Sequence, residues 1–222
     1  MDKQKAIFRA VFESHTTMSI SGCTGSGKTT WVRKLMKYTR EMFEGPSPDT
    51  ILYCYGIYQN AFDEMEKELP NLTFLHGLPS ELDINALCQN GDHNMIIIDD
   101  LMHEVVKNGE MERLFTQGAH HRRLTIVYLN QNMYCQGKHS RNINLNTHYM
   151  ILLKNPRDVN QIRCLGRQVF GGKSNALIEA YNDCLSSPYG YLVLDLTPHA
   201  EEQYRIRTGI FPDETCIVYI PK

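Results

Sequence analysis

Gly22-Cys23-Thr24-Gly25-Ser26-Gly27-Lys28-Thr29 decides the fold. The stretch fits G-x-x-x-x-G-K-[ST] at every defined position, and it stands between a β-rich apolar run and a run of helical periodicity, as that motif requires. Glycines let the backbone curl until successive N–H groups point inward, and the N-terminus of the following helix adds positive dipole at the same place. Such a turn receives phosphate. Gly22, Cys23, Thr24, Gly25, Ser26 and Gly27, with Thr30, form the cradle, and Lys28 is expected to reach the β- and γ-phosphates of a nucleoside triphosphate. Thr29 is expected to hold Mg²⁺ through its hydroxyl. In the helix that follows, Trp31, Val32, Leu35, Met36 and Phe43 keep one side apolar while Arg33, Lys34, Lys37 and Arg40 occupy the rest, so one face packs on a sheet. A second partial match, Gly172-Lys173-Ser174, has Arg167 where the first glycine is required and reads as a plain loop.

Outward from this motif, short β-rich runs alternate with helical stretches to both ends of the chain. The expected strands cover 16–21, 51–55, 95–99, 124–129, 149–153 and 191–194, and Gly45-Pro46-Ser47-Pro48-Asp49 breaks the chain after the first long helix. That alternation predicts an α/β fold with a largely parallel sheet flanked by helices. The 222 residues, against roughly 150 per domain, are read as a single domain over 1–222, without repeats or a long linker.

Composition narrows the class. Hydrophobic residues make up 42% and charged residues 22%, with a mean hydropathy of -0.38. These values exclude a disordered chain and a membrane-embedded one. The longest aliphatic runs fall far short of the roughly 20 residues that cross a bilayer. Met1-Asp2-Lys3-Gln4-Lys5 leads into a polar helical pattern without the apolar core of a secretory signal, so the chain is expected to stay inside a cell or inside something assembled there. Seven scattered cysteines without a C-x-x-C pair read as reduced thiols. A net charge of -2 leaves room only for local basic surfaces toward nucleic acid.

Two further strand ends carry chemistry. Met95-Ile96-Ile97-Ile98-Asp99-Asp100 reads as a buried strand with Asp99 at its C-terminal end, where an acid holds the magnesium shell opposite Thr29. Asp100 is then placed to orient or deprotonate the attacking water. Leu124-Thr125-Ile126-Val127-Tyr128-Leu129 ends in Asn130-Gln131, at the edge where open α/β sheets bind ligands, and Gln131 can contact both the γ-phosphate and the lytic water.

These three strand ends, in this order and spacing, resemble the FtsK/HerA superfamily of P-loop motors. A narrower resemblance rests on His120-His121-Arg122-Arg123-Leu124 leading to Asn130-Gln131-Asn132, on Lys154-Asn155-Pro156-Arg157-Asp158, on Gly166-Arg167-Gln168 and on Pro188-Tyr189-Gly190-Tyr191-Leu192. These segments look like the poxvirus-type genome-packaging ATPases of Polinton/Maverick elements and adintoviruses, over about residues 16 to 212. The resemblance implies a RecA/ASCE-like P-loop NTPase fold with an extra strand between the two Walker strands. It implies ATP and Mg²⁺ as cofactors, Asp99 as the Walker B acid, Asp100 as the catalytic acid and Gln131 as sensor.

It also implies a homo-oligomeric ring, commonly hexameric in that superfamily, in which an arginine from the neighbouring subunit completes each site. Arg157 is the first candidate for that arginine and Arg141 the second. Two departures stand out. Many superfamily members have Glu where Asp100 stands, and cellular relatives have Arg eleven positions before the sensor, where this chain has His120 and where Arg122 or Arg123 is the alternative.

The expected function is ATP-driven movement of viral or transposon-borne DNA into a capsid, with capsid or portal-type proteins as partners and no membrane. The expected location is the host nucleus or a cytoplasmic assembly site, with virion association as an alternative. DNA contact is expected through phosphates in the polar stretch containing Lys138, His139, Arg141, Asn142, Asn144 and Asn146, read as a loop between two strands. Rival readings are a P-loop nucleotide or nucleoside kinase and a nucleotide-regulated capsid-assembly protein. His103-Glu104-Val105-Val106-Lys107 begins like a zinc-hydrolase motif, but Lys107 replaces the second histidine, and no structural metal is expected.

Overall fold

The computed structural model describes residues 2–5, 12–89, 91–134, 137–157 and 159–221. The strands in chain order are β1 (Asp2–Lys5), β2 (Phe12–Glu13), β3 (Thr17–Ser21), β4 (Phe43–Glu44), β5 (Thr50–Tyr55), β6 (Leu72–His76), β7 (Asn94–Asp99), β8 (Leu124–Asn130), β9 (Tyr149–Leu153), β10 (Tyr191–Asp195), β11 (Ile206–Thr208) and β12 (Ile217–Ile220). Ten of them form one sheet in the order β1-β12-β11-β10-β9-β3-β8-β7-β5-β6, and β2 pairs with β4 separately. The run from β9 to β6 is parallel. An antiparallel extension of β10, β11, β12 and β1 completes the sheet.

β8 lies between the phosphate-loop strand β3 and the acid-bearing strand β7, as expected. The fold is therefore α/β with a mainly parallel sheet. Parallel strands buried on both faces need continuous apolar sequence, and β7, β8 and β9 are buried at every position. Alternate residues feed opposite faces. Met95 and Ile97 join Ile20, Trp31, Leu35 and Phe211 in the core on one face. Ile96 and Ile98 join Ile126, Leu114 and Phe115 on the other, which Leu152 and Leu192 continue against the helices Val159–Phe170 and Asn175–Cys184. Each such side chain, fully buried, contributes about 1.5–3 kcal/mol.

Asp2–Lys5 pairs with Ile217–Ile220 at the sheet edge, and the helical pattern expected to follow Lys5 begins on residues outside the described ones, as do Cys135 and Asp158. Two expectations need correction. Phe43 does not continue the apolar stripe of the first helix, which ends at Lys37. It lies instead on β4 beside Phe12 and is buried there. The stretch from Lys138 to Asn146 is not simply a loop, since Ser140–Leu145 is helical. Among the described residues no helix is long and apolar enough to cross a membrane.

Candidate functional site

Parallel pairing brings the carboxyl ends of β3, β8, β7 and β5 to one edge, with Ser21 opposite Asn130 and Tyr55 opposite Asp99. A cleft of about 610 Å³ opens there, within the range typical of small-ligand sites. Its walls include Thr24, Gly25, Gly27, Lys28, Thr29, Thr30, Asp99, Asp100 and Gln131. The residues singled out in the three motifs thus converge on one space.

The loop is tied to the sheet from both sides. Gly22 N–H donates to Asn130 O at 3.3 Å, and Cys23 N–H donates to Lys154 O at 3.3 Å. Gly27 precedes the helix Lys28–Lys37 with φ 101, a left-handed conformation that a side chain would strain. No side chain caps this helix and no acid stands in its first turn, so its N-terminal dipole faces the cleft uncompensated. Lys28 Nζ donates to Gly22 O at 2.7 Å and to Cys23 O at 3.2 Å, which folds the ammonium across the loop. Burial lowers the Lys28 pKa, and the negative charge of Asp99 opposes that shift. The Ser26 hydroxyl is buried within the loop without a hydrogen-bond partner.

Asp99 is only 6% exposed. Burial raises its pKa, partly offset by the hydrogen bond that Tyr53 donates to Oδ2 at 2.7 Å and by Lys28. Asp100 sits one residue beyond the strand at φ 57, a left-handed conformation that Asp tolerates better than most residues. This turn carries Asp100 O against Gly56, where a Cβ would stand 2.5 Å from it. Gly56 is therefore required by a close approach that links the end of β5 to the acidic pair. Gln131 Nε2 stands 3.5 Å from Asp100 Oδ1, and Gln131 O accepts from Asn155 Nδ2 at 3.3 Å. Beneath them Asn130 is buried, donates to Ser19 Oγ at 2.9 Å and accepts from Ser21 Oγ.

The donor set suits a magnesium nucleotide. Thr29 and Asp99 supply hard oxygen donors of the kind Mg²⁺ takes, and Lys28, the loop N–H groups and the helix N-terminus supply the positive field.

The arginines are distributed differently. Arg157 is exposed in the turn after β9, three residues beyond Lys154, whose carbonyl receives the loop. It is on the same sheet edge but does not line the cleft. Arg141 is exposed on Ser140–Leu145 and flanks a separate groove with Tyr134 and Leu165. Arg122 donates to Glu81 and Asn85, and Arg123 donates to Asp92, at the opposite end of β8 from Gln131. Neither replaces a cleft arginine within its own chain. Of the polar residues expected to meet phosphates, His139 and Asn142 are both held by Glu112, and Asn144 donates to Met133 O at 3.1 Å. Lys138 and Arg141 remain exposed.

Sequence reasoning gives no role to Tyr53, Gln59 or Met102, quotes Tyr189 only within a segment of the resemblance, and weighs His103 only as a zinc ligand. Gln59, Met102, His103 and Tyr189 line the cleft. Tyr53 was available only as one of two tyrosines in the expected strand 51–55, a residue type that usually finds a partner when buried.

No protein-family profile matches the chain, and no curated protein resembles it significantly in sequence. Solved structures do resemble it. The genome packaging NTPase B204 from Sulfolobus turreted icosahedral virus 2, in complex with ATP-gammaS, superposes with TM-score 0.56 at 10% identity, over 94% of this chain and 98% of that one. B204, the DNA-packaging ATPase from Sulfolobus Turreted Icosahedral Virus, gives TM-score 0.57 at 8% identity over 95% and 100%. At such identities the likeness is one of fold.

Proposed function

We propose that residues 1–222 form a single P-loop ATPase domain of the FtsK/HerA type, which works as a ring of copies and moves viral or transposon-borne DNA into a capsid. One observation carries the reading. Over 94% of its length the chain resembles in fold a protein described as a genome packaging NTPase, and at the carboxyl edge of that fold its cleft gathers Lys28, Thr29, Asp99, Asp100 and Gln131. The poxvirus-type kinship, the hexameric ring, the capsid or portal-type partner and an assembly site in the host nucleus or cytoplasm belong to the same proposal.

In the chemistry proposed, Lys28 swings from the loop carbonyls onto the β- and γ-phosphates of ATP. Thr29 and Asp99 would hold Mg²⁺, which when bound neutralises charge on the phosphate oxygens. Asp100, turned into the cleft by its left-handed backbone, orients and deprotonates the attacking water, and Gln131 fixes that water from the other side. Arg157 of one copy completes the next copy's site and stabilises the charge of the transferring phosphoryl group, a contribution of about 10³ to 10⁵ in rate where such arginines act. Because Glu112 occupies His139 and Asn142, phosphate contact along DNA falls to Lys138 and Arg141.

The test is ATP turnover by the purified chain with and without duplex DNA across a salt series. Stimulation by DNA of any sequence is expected, falling steeply with salt as condensed counterions compete. Turnover indifferent to duplex and single-stranded DNA but accelerated by a nucleoside or nucleotide acceptor would replace the motor with a kinase. Turnover stimulated by capsid protein alone would replace it with an assembly timer.

A further inference from the structure

We propose that Tyr189 is the residue on which the nucleobase stacks, an assignment that rests on the nucleotide reading above. Tyr189 lies in the turn between the helix Asn175–Cys184 and β10 and has φ 56. A left-handed backbone is costly for a bulky side chain and persists where the surroundings hold it. Here Gly190 N–H closes the turn onto Ser187 O at 3.2 Å. Burial of the ring would compensate for that strain, yet the residue is 75% exposed. Its edge instead lies over the phosphate loop, with Cδ1 3.1 Å from where a Cβ on Gly27 would be. A side chain at Gly27 would therefore push the ring away, and its absence lets the ring approach the loop.

The polarity of the cleft decides what the ring meets. Lys28, Asp99, Asp100 and Gln131 mark the γ-phosphate end, on the side of β8 and β7. Tyr189 leads into β10, which lies on the other side of β3, beyond β9. The strands β8, β3 and β9 stand between β7 and β10, and the phosphate loop that the ring overlies follows β3. A triphosphate seated with its γ end at the acidic pair runs its sugar and base toward Tyr189. His103, the other ring among the cleft residues, follows three residues after Asp100. The exposed phenol face is the apolar platform that a purine or pyrimidine needs, and stacking on it tolerates any base because every base has a π face.

The experiment compares the full chain with Tyr189→Ala, Tyr189→Phe and Tyr189→Trp by titrating Mg-ATP and inorganic tripolyphosphate, which carries the charge but no base. Tyr189→Ala should weaken ATP by roughly 5- to 100-fold and leave tripolyphosphate affinity unchanged, which also shows that the variant is folded. Tyr189→Phe should bind both as the wild type does. In Tyr189→Trp, ATP but not tripolyphosphate should quench a fluorescence that the buried Trp31 alone does not report in the wild type. Unchanged ATP affinity in Tyr189→Ala, or equal weakening of both ligands, would overturn the stacking role and leave the ring as a brace for the loop. A wild-type chain that binds neither ligand would overturn the nucleotide reading itself.

Discussion

Tyr53 donates its phenolic hydrogen to Oδ2 of Asp99 across 2.7 Å, in an interior where Tyr53 is fully buried and Asp99 is 6% exposed. The two residues belong to neighbouring strands, and the parallel register sets Tyr53 two positions before the residue opposite Asp99. Burial and the nearby carboxylate push the phenol's pKa upward, so it stays a donor at any working pH. This bond lowers the Asp99 pKa against the larger opposing effect of burial.

Tyr53→Phe should therefore raise the Asp99 pKa further. The acidic limb of the ATPase pH profile is expected to move to higher pH, with lower turnover at neutral pH. Stability should fall by about 1.5–3 kcal/mol, as for a lost hydrogen bond to a charged group. An unchanged pH profile would show that Asp99 does not depend on this donor.

Asp99→Asn should stabilise the nucleotide-free protein at neutral pH while abolishing turnover. The folded pKa of Asp99 is raised by burial, so in the wild type the carboxyl's contribution is most favourable below its unfolded pKa and declines as pH rises through the folded one. The asparagine escapes that decline. Its melting temperature should match the wild type's in acid and exceed it at neutral pH, by about 2–4 °C per kcal/mol for a chain of this size. Thermal melts at several pH values without nucleotide check the sign, and a wild type that is more stable at neutral pH would contradict it.

Lys28→Ala and Asp100→Asn should fail differently. The first removes the side-chain cation that the loop offers the phosphates, so both ATP affinity and turnover should collapse. The second keeps the cradle and should bind Mg-ATP normally with turnover reduced about 10²- to 10⁴-fold, the usual contribution of a general base. Fluorescent-nucleotide titration beside steady-state turnover separates them. Near wild-type turnover in Asp100→Asn would move the catalytic role to another group.

If Arg157 completes the neighbouring copy's site as proposed, Arg157→Ala subunits should bind ATP and fail to hydrolyse it. Mixed with Lys28→Ala subunits, which keep Arg157 but cannot use ATP, they should recover activity at shared interfaces. Absence of recovery at any mixing ratio would point to Arg141, to be examined by the same mixing.

Contiguous motifs were legible from the chain itself. The phosphate loop declares itself because its geometry is local, a run of glycines ahead of a helix, and the buried strands ending in Asp99 and just before Gln131 declare themselves because a strand covered on both faces is mostly apolar. Strands without that signature escaped. Leu72–His76 buries only Leu72 fully, at the sheet edge, the short Ile206–Thr208 gains strand character from pairing with the strands on either side of it, and Ile217–Ile220 from pairing also with Asp2–Lys5 at the far end of the chain.

The sequence alone determined which residues can bind phosphate, which acids can follow a buried strand, and that the sheet is mainly parallel. Tertiary structure decided which of these groups share a space. Only strand order places Asp99 one strand away from Asn130 and two from the loop, only register puts Tyr53 within reach of Asp99, and only the turn before β10 brings Tyr189 over Gly27. The reason is physical. Local motifs depend on the backbone preferences of adjacent residues, whereas contacts across a sheet depend on which distant segments satisfy one another's hydrogen bonds and bury one another's apolar faces.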